Sequence, residues 1–183
     1  MKFRRIFAMC LFTSMATSNL AWARHDPLTS AEIDQLRDVA QEPEPRLKLL
    51  AKFARARLTA VDQLRADPRF AAERGRRVHD LLEDFDGIVE EIDKNIDMYA
   101  DRKADLRKPL KTIIEADSEF QLKLRSLKES ASTPAAAAEA HDYRFVLENA
   151  IETVNSSADN ARQLLQEQNV SIKAEKEKGK KKK

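Results

Sequence analysis

The chain has 183 residues, of which 42 % are hydrophobic and 35 % charged, and its formal net charge is +2. A single cysteine excludes an intramolecular disulfide, so the fold has to be held by its core, for which this length is sufficient. Only three glycines occur, no segment alternates apolar and polar residues, and strong helix formers dominate. Together these features predict an all-α protein.

Residues 1–23 have the pattern of a secretory signal peptide: basic residues at the start, an apolar stretch over 6–16, and the small-x-small sequence Ala-Trp-Ala that ends at Ala23. The apolar stretch is much shorter than the ~20 residues of a membrane-spanning helix. Cleavage after Ala23 removes Cys10, the one cysteine of the chain, and so excludes thiol catalysis. The sequence therefore predicts export to the periplasm or the exterior of a bacterial cell.

The remainder of the chain divides by charge. Residues 24–172, predicted to form a helical bundle domain, carry 23 Lys and Arg against 29 Asp and Glu. Residues 173–183 carry seven lysines against two glutamates and almost no apolar side chain, which predicts a disordered Lys-rich tail. The exported protein is thus expected to be an acidic body with a basic tether.

Capping residues and prolines divide the domain into helices. The sequence Thr-Ser-Ala-Glu at 29–32 resembles a capping box and opens a short helix to about Gln41. Pro45 suits the first position of a second helix, which ends near Ala66. Asp67 and the proline after it predict the N-cap and first position of a third helix.

The third helix gives way to a fourth between residues 102 and 109, and a fifth runs from about Thr133 to about Val170. These three long helices carry apolar stripes with heptad-like spacing. The stripe of the third helix is Val78, Leu82, Phe85, Val89, Ile92, Ile96 and Tyr99. That of the fourth is Leu106, Leu110, Ile113, Asp117, Phe120, Leu124 and Leu127, and that of the fifth is Tyr143, Leu147, Ala150, Val154, Ser157, Ala161 and Leu164.

Burying these stripes requires the helices to fold back on each other, and the second helix most simply supplies a fourth member. Its apolar residues are Leu47, Leu50, Ala54, Leu58 and Val61. We therefore predict an antiparallel bundle of three to four long amphipathic helices plus a short N-terminal helix.

Four aspartates recur every four residues: Asp93, Asp97, Asp101 and Asp105. Like charges at this spacing oppose each other by roughly 0.2–0.5 kcal/mol per pair in an isolated helix, so something should compensate them. One interpretation is a solvated face neutralised by neighbouring lysines and arginines. The other is a divalent-cation site or a docking strip for a cationic partner; as a cation site it needs water or another chain to complete the coordination shell.

Asp117 occupies a core position in the stripe of the fourth helix, and the fifth helix becomes narrow and polar over residues 155–161. If the two helices face each other, Asn155, Ser156 and Ser157 can satisfy the carboxylate in a buried polar layer that fixes the register. The alternatives are that Asp117 lies at the boundary and reaches water, or that this level of the bundle forms a ligand pocket.

The sequence carries no recognisable catalytic motif. Neither His79 nor His141 has a glutamate three residues before it, as the di-iron bundle enzymes require. There is also no HExxH, glycine-rich phosphate loop or GxSxG. His79 is interpreted as a surface histidine beside Glu83. We therefore predict a protein that is not an enzyme, has no catalytic residues and needs no cofactor.

The function predicted from these features is that of an exported scaffold, adaptor or chaperone-like binding module of the cell envelope. The alternatives are a self-associating coiled-coil assembly protein and a metal- or small-ligand-binding bundle. The Lys-rich tail is either a solvated terminus or a tether to anionic phospholipid or cell-wall polymer. Because the protein is expected to be exported, nucleic acid is not an expected partner.

Overall fold

The computed structural model describes residues 26–134 and 136–181, with side chains up to Ala174, so the predicted signal peptide (1–23) lies outside the described residues. This part of the chain forms five α-helices and one 3₁₀ turn, with no strand. The helices are α1 (Ser30–Asp38), α2 (Pro43–Ala66), α3 (Arg74–Asp101), α4 (Arg107–Ala131) and α5 (Ala137–Lys181). The prediction of an all-α protein with several long helices is confirmed.

The beginnings of the first two helices follow from the capping chemistry. The Thr29 hydroxyl accepts the Glu32 amide at 3.3 Å, and the Glu32 carboxylate accepts the Thr29 amide at 2.8 Å, which is the predicted capping box. The first helix is shorter than predicted, ending at Asp38. The second begins at Pro43, earlier than the predicted Pro45, because a first turn leaves amides without helical partners and so tolerates both prolines.

Asp67 does not cap α3, as the sequence predicted, but a separate 3₁₀ turn over Pro68–Phe70. Its carboxylate accepts the Arg69 amide at 2.9 Å and also binds the Arg69 guanidinium. This local pairing closes a tight turn, so α3 begins only at Arg74.

The loop between α3 and α4 turns sharply without a glycine. Lys103 adopts a left-handed conformation with φ of 58°. The Ala104 amide bonds the Tyr99 carbonyl at 3.1 Å and the Lys103 amide bonds the Ala100 carbonyl at 2.8 Å, which is the Schellman arrangement. Gln168 of α5 holds the loop, since its amide nitrogen donates to the Ala104 carbonyl at 3.0 Å.

Helix α5 continues to Lys181, past the predicted end near Val170 and into the segment 173–183 that was predicted to be disordered. The difference has a physical reason. Lys, Glu and Ala are strong helix formers, and extending an existing helix by one residue is far easier than nucleating a new one. None of the described helices combines the length and the apolar character needed to cross a membrane.

The predicted stripes form the core. Every stripe residue of α2, α3 and α4 is buried, and every one of α5 except Leu164, which is half-buried. Helix α2 packs on α3 and α4, and α5 packs on the same two helices. Although α3 and α4 are consecutive in sequence, they meet through core side chains such as Phe85 and Phe120, whose rings lie edge to face at 5.3 Å.

Two details bring neighbouring helices close together. At Gly75, an added Cβ would lie 2.8 Å from the Glu139 carbonyl oxygen, so the approach of α3 to α5 requires a glycine. The Arg57 guanidinium of α2 donates to both Glu32 oxygens of α1 at 2.8 and 2.7 Å and to Asp84 of α3 at 3.3 Å. Arg57 therefore fastens the short N-terminal helix to the bundle.

Candidate functional site

Three polar side chains from three helices meet in the middle of the bundle. Asp117 of α4 and Ser157 of α5 are both 0 % exposed, and Asp93 of α3 is half-buried. Asp117 and Ser157 take stripe positions, so the same periodicity that buries the apolar residues also turns these two inward. We call Asp93, Asp117 and Ser157 the polar layer.

The hydrogen bonds in the polar layer are incomplete. The Ser157 hydroxyl donates to Asp93 Oδ1 at 2.7 Å. Neither carboxylate oxygen of Asp117 has a hydrogen-bond partner among the described residues, although both are buried. A buried carboxylate in this condition is costly when ionised, so Asp117 favours its neutral form.

The electrostatics agree with that geometry. Burial raises the pKa of Asp117 to about 7, the negative charge of Asp93 raises it further, and Arg162 and the Ser157 hydroxyl partly oppose the rise. Burial also raises the pKa of Asp93, with Ser157 lowering it and the charges of Asp97 and Glu90 raising it. The two carboxyl groups therefore compete for ionisation in one low-dielectric region.

Asn155, Ser156 and Ser157, the predicted partners of Asp117, lie in three different surroundings. Ser157 lies in the polar layer, whereas Asn155 accepts a hydrogen bond from Gln121 at 2.9 Å and Ser156 is exposed. Of the alternatives that the sequence left open, the one in which Asp117 is buried agrees with the structure. The alternative in which it lies at the boundary and reaches water is wrong.

The four regularly spaced aspartates do not share a location. Asp93 lies in the polar layer, Asp97 and Asp101 are exposed, and Asp105 follows the end of α3. Asp105 accepts from Arg107 Nε at 2.8 Å, and this guanidinium lowers the pKa of Asp105 to about 2. Side chains four residues apart are separated by about 6 Å along the helix axis, and the helix ends before the fourth. Among the described residues, no three His, Cys, Asp or Glu side chains lie together so that they could hold a metal ion.

A shallow groove of about 340 Å³ runs between α3 and α5 beside the polar layer. Acidic and amide side chains line it, among them Asp93, Asp97, Asn160 and Glu167. Asp93 lines this groove and is partly exposed to solvent, whereas Asp117 does not line it and is fully buried.

Asp93 points into the bundle, which the spacing of the four aspartates did not predict. Asp86, two turns earlier on α3, is also half-buried, and burial raises its pKa while Thr153 of α5 lowers it. Together with Glu83, Glu90 and Asp97, the residues Asp86 and Asp93 recur at intervals of three and four along α3. This spacing places all five on one face of the helix, and it is the signal that could have predicted a face turned towards another helix. We call Glu83, Asp86, Glu90, Asp93 and Asp97 the acidic stripe.

The histidines lie away from the polar layer. The side chains of His79 and His141 are 41 % and 82 % exposed, and their Nδ1 atoms lie 3.5 Å from Asp80 and 3.9 Å from Asp142 respectively. What the polar layer can do chemically is take up and release a proton on two neighbouring carboxyl groups, one of which bonds the Ser157 hydroxyl.

Comparison of this chain with protein-family models, with curated proteins and with solved structures finds no match.

Proposed function

We propose that the protein is an exported, non-enzymatic scaffold, adaptor or chaperone-like binding module of the bacterial cell envelope, in which an antiparallel bundle of α2 to α5 carries a projecting basic arm. Export rests on the signal-peptide pattern of residues 1–23. The antiparallel order is supported by the pairing of Arg46 with Asn95 and of Arg57 with Asp84, in which later residues of α2 meet earlier residues of α3.

The observation that carries the proposal is the length of α5. The last described contacts between α5 and the other helices involve Gln168, which holds the α3–α4 loop, and Asn169, which lines a groove with Pro43 and Arg107. Val170 is already 60 % exposed. Ile172 is still half-buried, and the helix continues to Lys181, so its last turns extend about 14 Å beyond Ile172 at 1.5 Å per residue.

The composition of this arm defines the partner. Residues 173–183 contain seven lysines and two glutamates, and near an anionic surface each lysine contributes about 1 kcal/mol. Several such contributions give reversible attachment without a lipid anchor. The chemistry fits phosphate-rich surfaces, namely phospholipid headgroups or anionic cell-wall polymers, and the body of the protein then faces away from that surface.

Co-sedimentation tests the proposal. The full chain should pellet with vesicles containing anionic phospholipid, or with purified cell wall, at 0.1 M salt and should be released at about 1 M salt, where the Debye length falls to ~3 Å. A chain ending at Ile172 should stay in solution. A chain of full length in which Lys180 to Lys183 are replaced by glutamine is the matched control for length. Equal binding by all three chains, or by none, would contradict the tether.

A second candidate function, self-association, is favoured by the acidic stripe. Its exposed carboxylates, Glu83 and Asp97, lie on α3 while the basic arm lies at the end of α5, so the arm of one copy can contact the stripe of another in a head-to-tail manner. Sedimentation velocity at low and high salt distinguishes the two candidates. A concentration-dependent increase in mass that salt abolishes supports self-association, and a monomer at all concentrations supports the envelope tether.

A further inference from the structure

The polar layer has an excess of negative charge that the described residues do not neutralise. Asp117 is surrounded by the core of α3, α4 and α5, and both of its oxygens are buried without a partner. Asp93 has one partner inside the bundle, the Ser157 hydroxyl. If both carboxyl groups were ionised, two negative charges would lie in a low-dielectric region with one hydroxyl between them.

The cations nearest to this layer are engaged elsewhere or lie at the surface. On α5, Arg162 is exposed and pairs with Asp159 at 2.9 Å. On α2, Arg55 pairs with Glu119 at 2.8 Å and covers the Phe120 ring. On α3, the neighbouring charges are those of Glu90 and Asp97, which are negative and so oppose ionisation further.

We propose that Asp93, Ser157 and Asp117 form a single proton-binding site, in which the carboxyl group of Asp117 carries a proton that it donates to Ser157 while Ser157 donates to Asp93. In this chain of hydrogen bonds Asp117 is a donor, Ser157 is both an acceptor and a donor, and Asp93 is an acceptor. Loss of the proton leaves two buried carboxylates competing for one hydroxyl. The bundle therefore senses the pH of its surroundings through this level of its core.

The location of the site explains how a proton reaches it. Asp93 lines the groove between α3 and α5 and is in contact with solvent there, whereas Asp117 is not. A proton can pass from the groove to Asp93 and, through a reorientation of the Ser157 hydroxyl, to Asp117. The small side chains of α5 at this level, Ser157 and Ala158, leave the two acidic groups close enough to interact.

Carbon-detected NMR of the full chain with labelled aspartate tests the proposal. The Asp117 carboxyl carbon should titrate with a midpoint near 7, and the Asp93 signal should move at the same pH because the two groups share the proton. Between pH 5 and pH 8 the midpoint of thermal unfolding should fall by roughly 5–10 °C, since the folded chain gives up a proton that the unfolded chain has already lost.

Three variants separate this site from its surroundings. Asp117→Asn should abolish the titration near neutrality, the response of Asp93 and the pH dependence of unfolding. Asp101→Asn, at an exposed position two turns after Asp93, should leave all three unchanged. Ser157→Ala should uncouple the two groups, so that the Asp93 signal no longer responds at the Asp117 midpoint, because the hydroxyl that bonds Asp93 is removed.

Three results would overturn the inference. An Asp117 signal that titrates below pH 5, or an Asp93 signal that does not respond near the Asp117 midpoint, would show that the two groups do not share a proton. A rise in the unfolding midpoint on addition of millimolar calcium or manganese, present in the parent and absent in Asp117→Asn, would assign the layer to a metal cation instead.

Discussion

The bundle contains two groups of charged side chains away from solvent, and they differ in whether a cation is present. Around Arg57, one guanidinium binds both Glu32 oxygens, the Pro27 carbonyl at 2.8 Å and Asp84. In the polar layer, the charges are carboxylates alone. The Arg57 guanidinium lowers the pKa of Glu32 to about 2, whereas burial raises the pKa of Asp117 to about 7.

The difference shows how the same residue type serves two purposes within one fold. Where a planar guanidinium meets a carboxylate through two parallel hydrogen bonds, the charges hold the elements together at every physiological pH. Where burial acts without a cation, the charge state changes within the physiological range. The Arg57 group fixes α1 to the rest of the bundle, and the polar layer makes the charge at the centre of the bundle depend on pH.

The largest expected effect comes from removing the cation. Arg57→Ala leaves Glu32, whose side chain is 13 % exposed, without its bidentate partner, and the loss of one member of a buried ion pair costs about 3–5 kcal/mol of unfolding free energy. Urea denaturation followed by circular dichroism measures it. Arg37→Ala is the control, because Arg37 and Asp34 pair at 2.7 Å on the surface with 74 % and 69 % exposure, and it should change stability by less than about 0.5 kcal/mol.

In the polar layer, removing a charged side chain should raise the free energy of unfolding instead of lowering it. Asp117→Leu removes a buried carboxyl group that has no hydrogen-bond partner among the described residues, and such replacements are neutral or stabilising by about 1–4 kcal/mol. The gain should be present at pH 8, where Asp117 is ionised, and should shrink at pH 5, where it is protonated. Urea denaturation at the two pH values decides this, and a loss of stability at pH 8 would show that the carboxylate is needed for packing.

The two groups also predict opposite slopes in the dependence of stability on pH. The Glu32 pKa is lowered in the folded chain, so its contribution is present above about 4.5 and is lost as the pH falls towards 2. The Asp117 pKa is raised, so its contribution is present below about 4 and is lost as the pH rises to about 7.

Stability should therefore be greatest between pH 4 and 5, with a change of about 1.4 kcal/mol per pH unit on either side while one proton is exchanged. Thermal unfolding across pH 2 to 8 measures the profile. Glu32→Gln should remove the dependence of stability on pH below about 4.5, and Asp117→Asn should remove the dependence between about pH 4 and 7. A maximum above pH 7 in the parent chain would contradict the Asp117 assignment, and constant stability between pH 2 and 4.5 would contradict the Glu32 assignment.

The comparison also shows what a sequence can and cannot predict. The stripes of the long helices, the burial of Asp117 and the capping box at Thr29 all follow from local spacing, because periodicity determines which side of a helix turns inward. The orientation of Asp93 does not follow, since it depends on which helix lies beside α3. Chain order favours α4 as that neighbour, but α3 packs on α2 and α5, so the flank that carries Asp93 is covered.

The Arg57 group was equally hidden from sequence reasoning. Arg57, Glu32 and Asp84 are separated by 25 and 27 residues, and each is unremarkable in its own helix. Only the packing of three helices brings them together. Charged residues that pair within one helix, such as Glu90 and Lys94, can be recognised from spacing, whereas pairs between helices require the topology.

The smallest expected effect tests whether the capping box and the Arg57 group are one unit. Thr29 and Glu32 cap α1 reciprocally, and Glu32 also binds Arg57. Thr29→Ala removes the hydroxyl that accepts the Glu32 amide, which costs about 1 kcal/mol, but it keeps the Thr29 amide that holds the Glu32 carboxylate. Thr29→Ser is the control and should restore the parent stability. If the cap orients Glu32 for Arg57, the losses from Thr29→Ala and Arg57→Ala will not add in the double variant, whereas independent roles require their sum within about 0.5 kcal/mol.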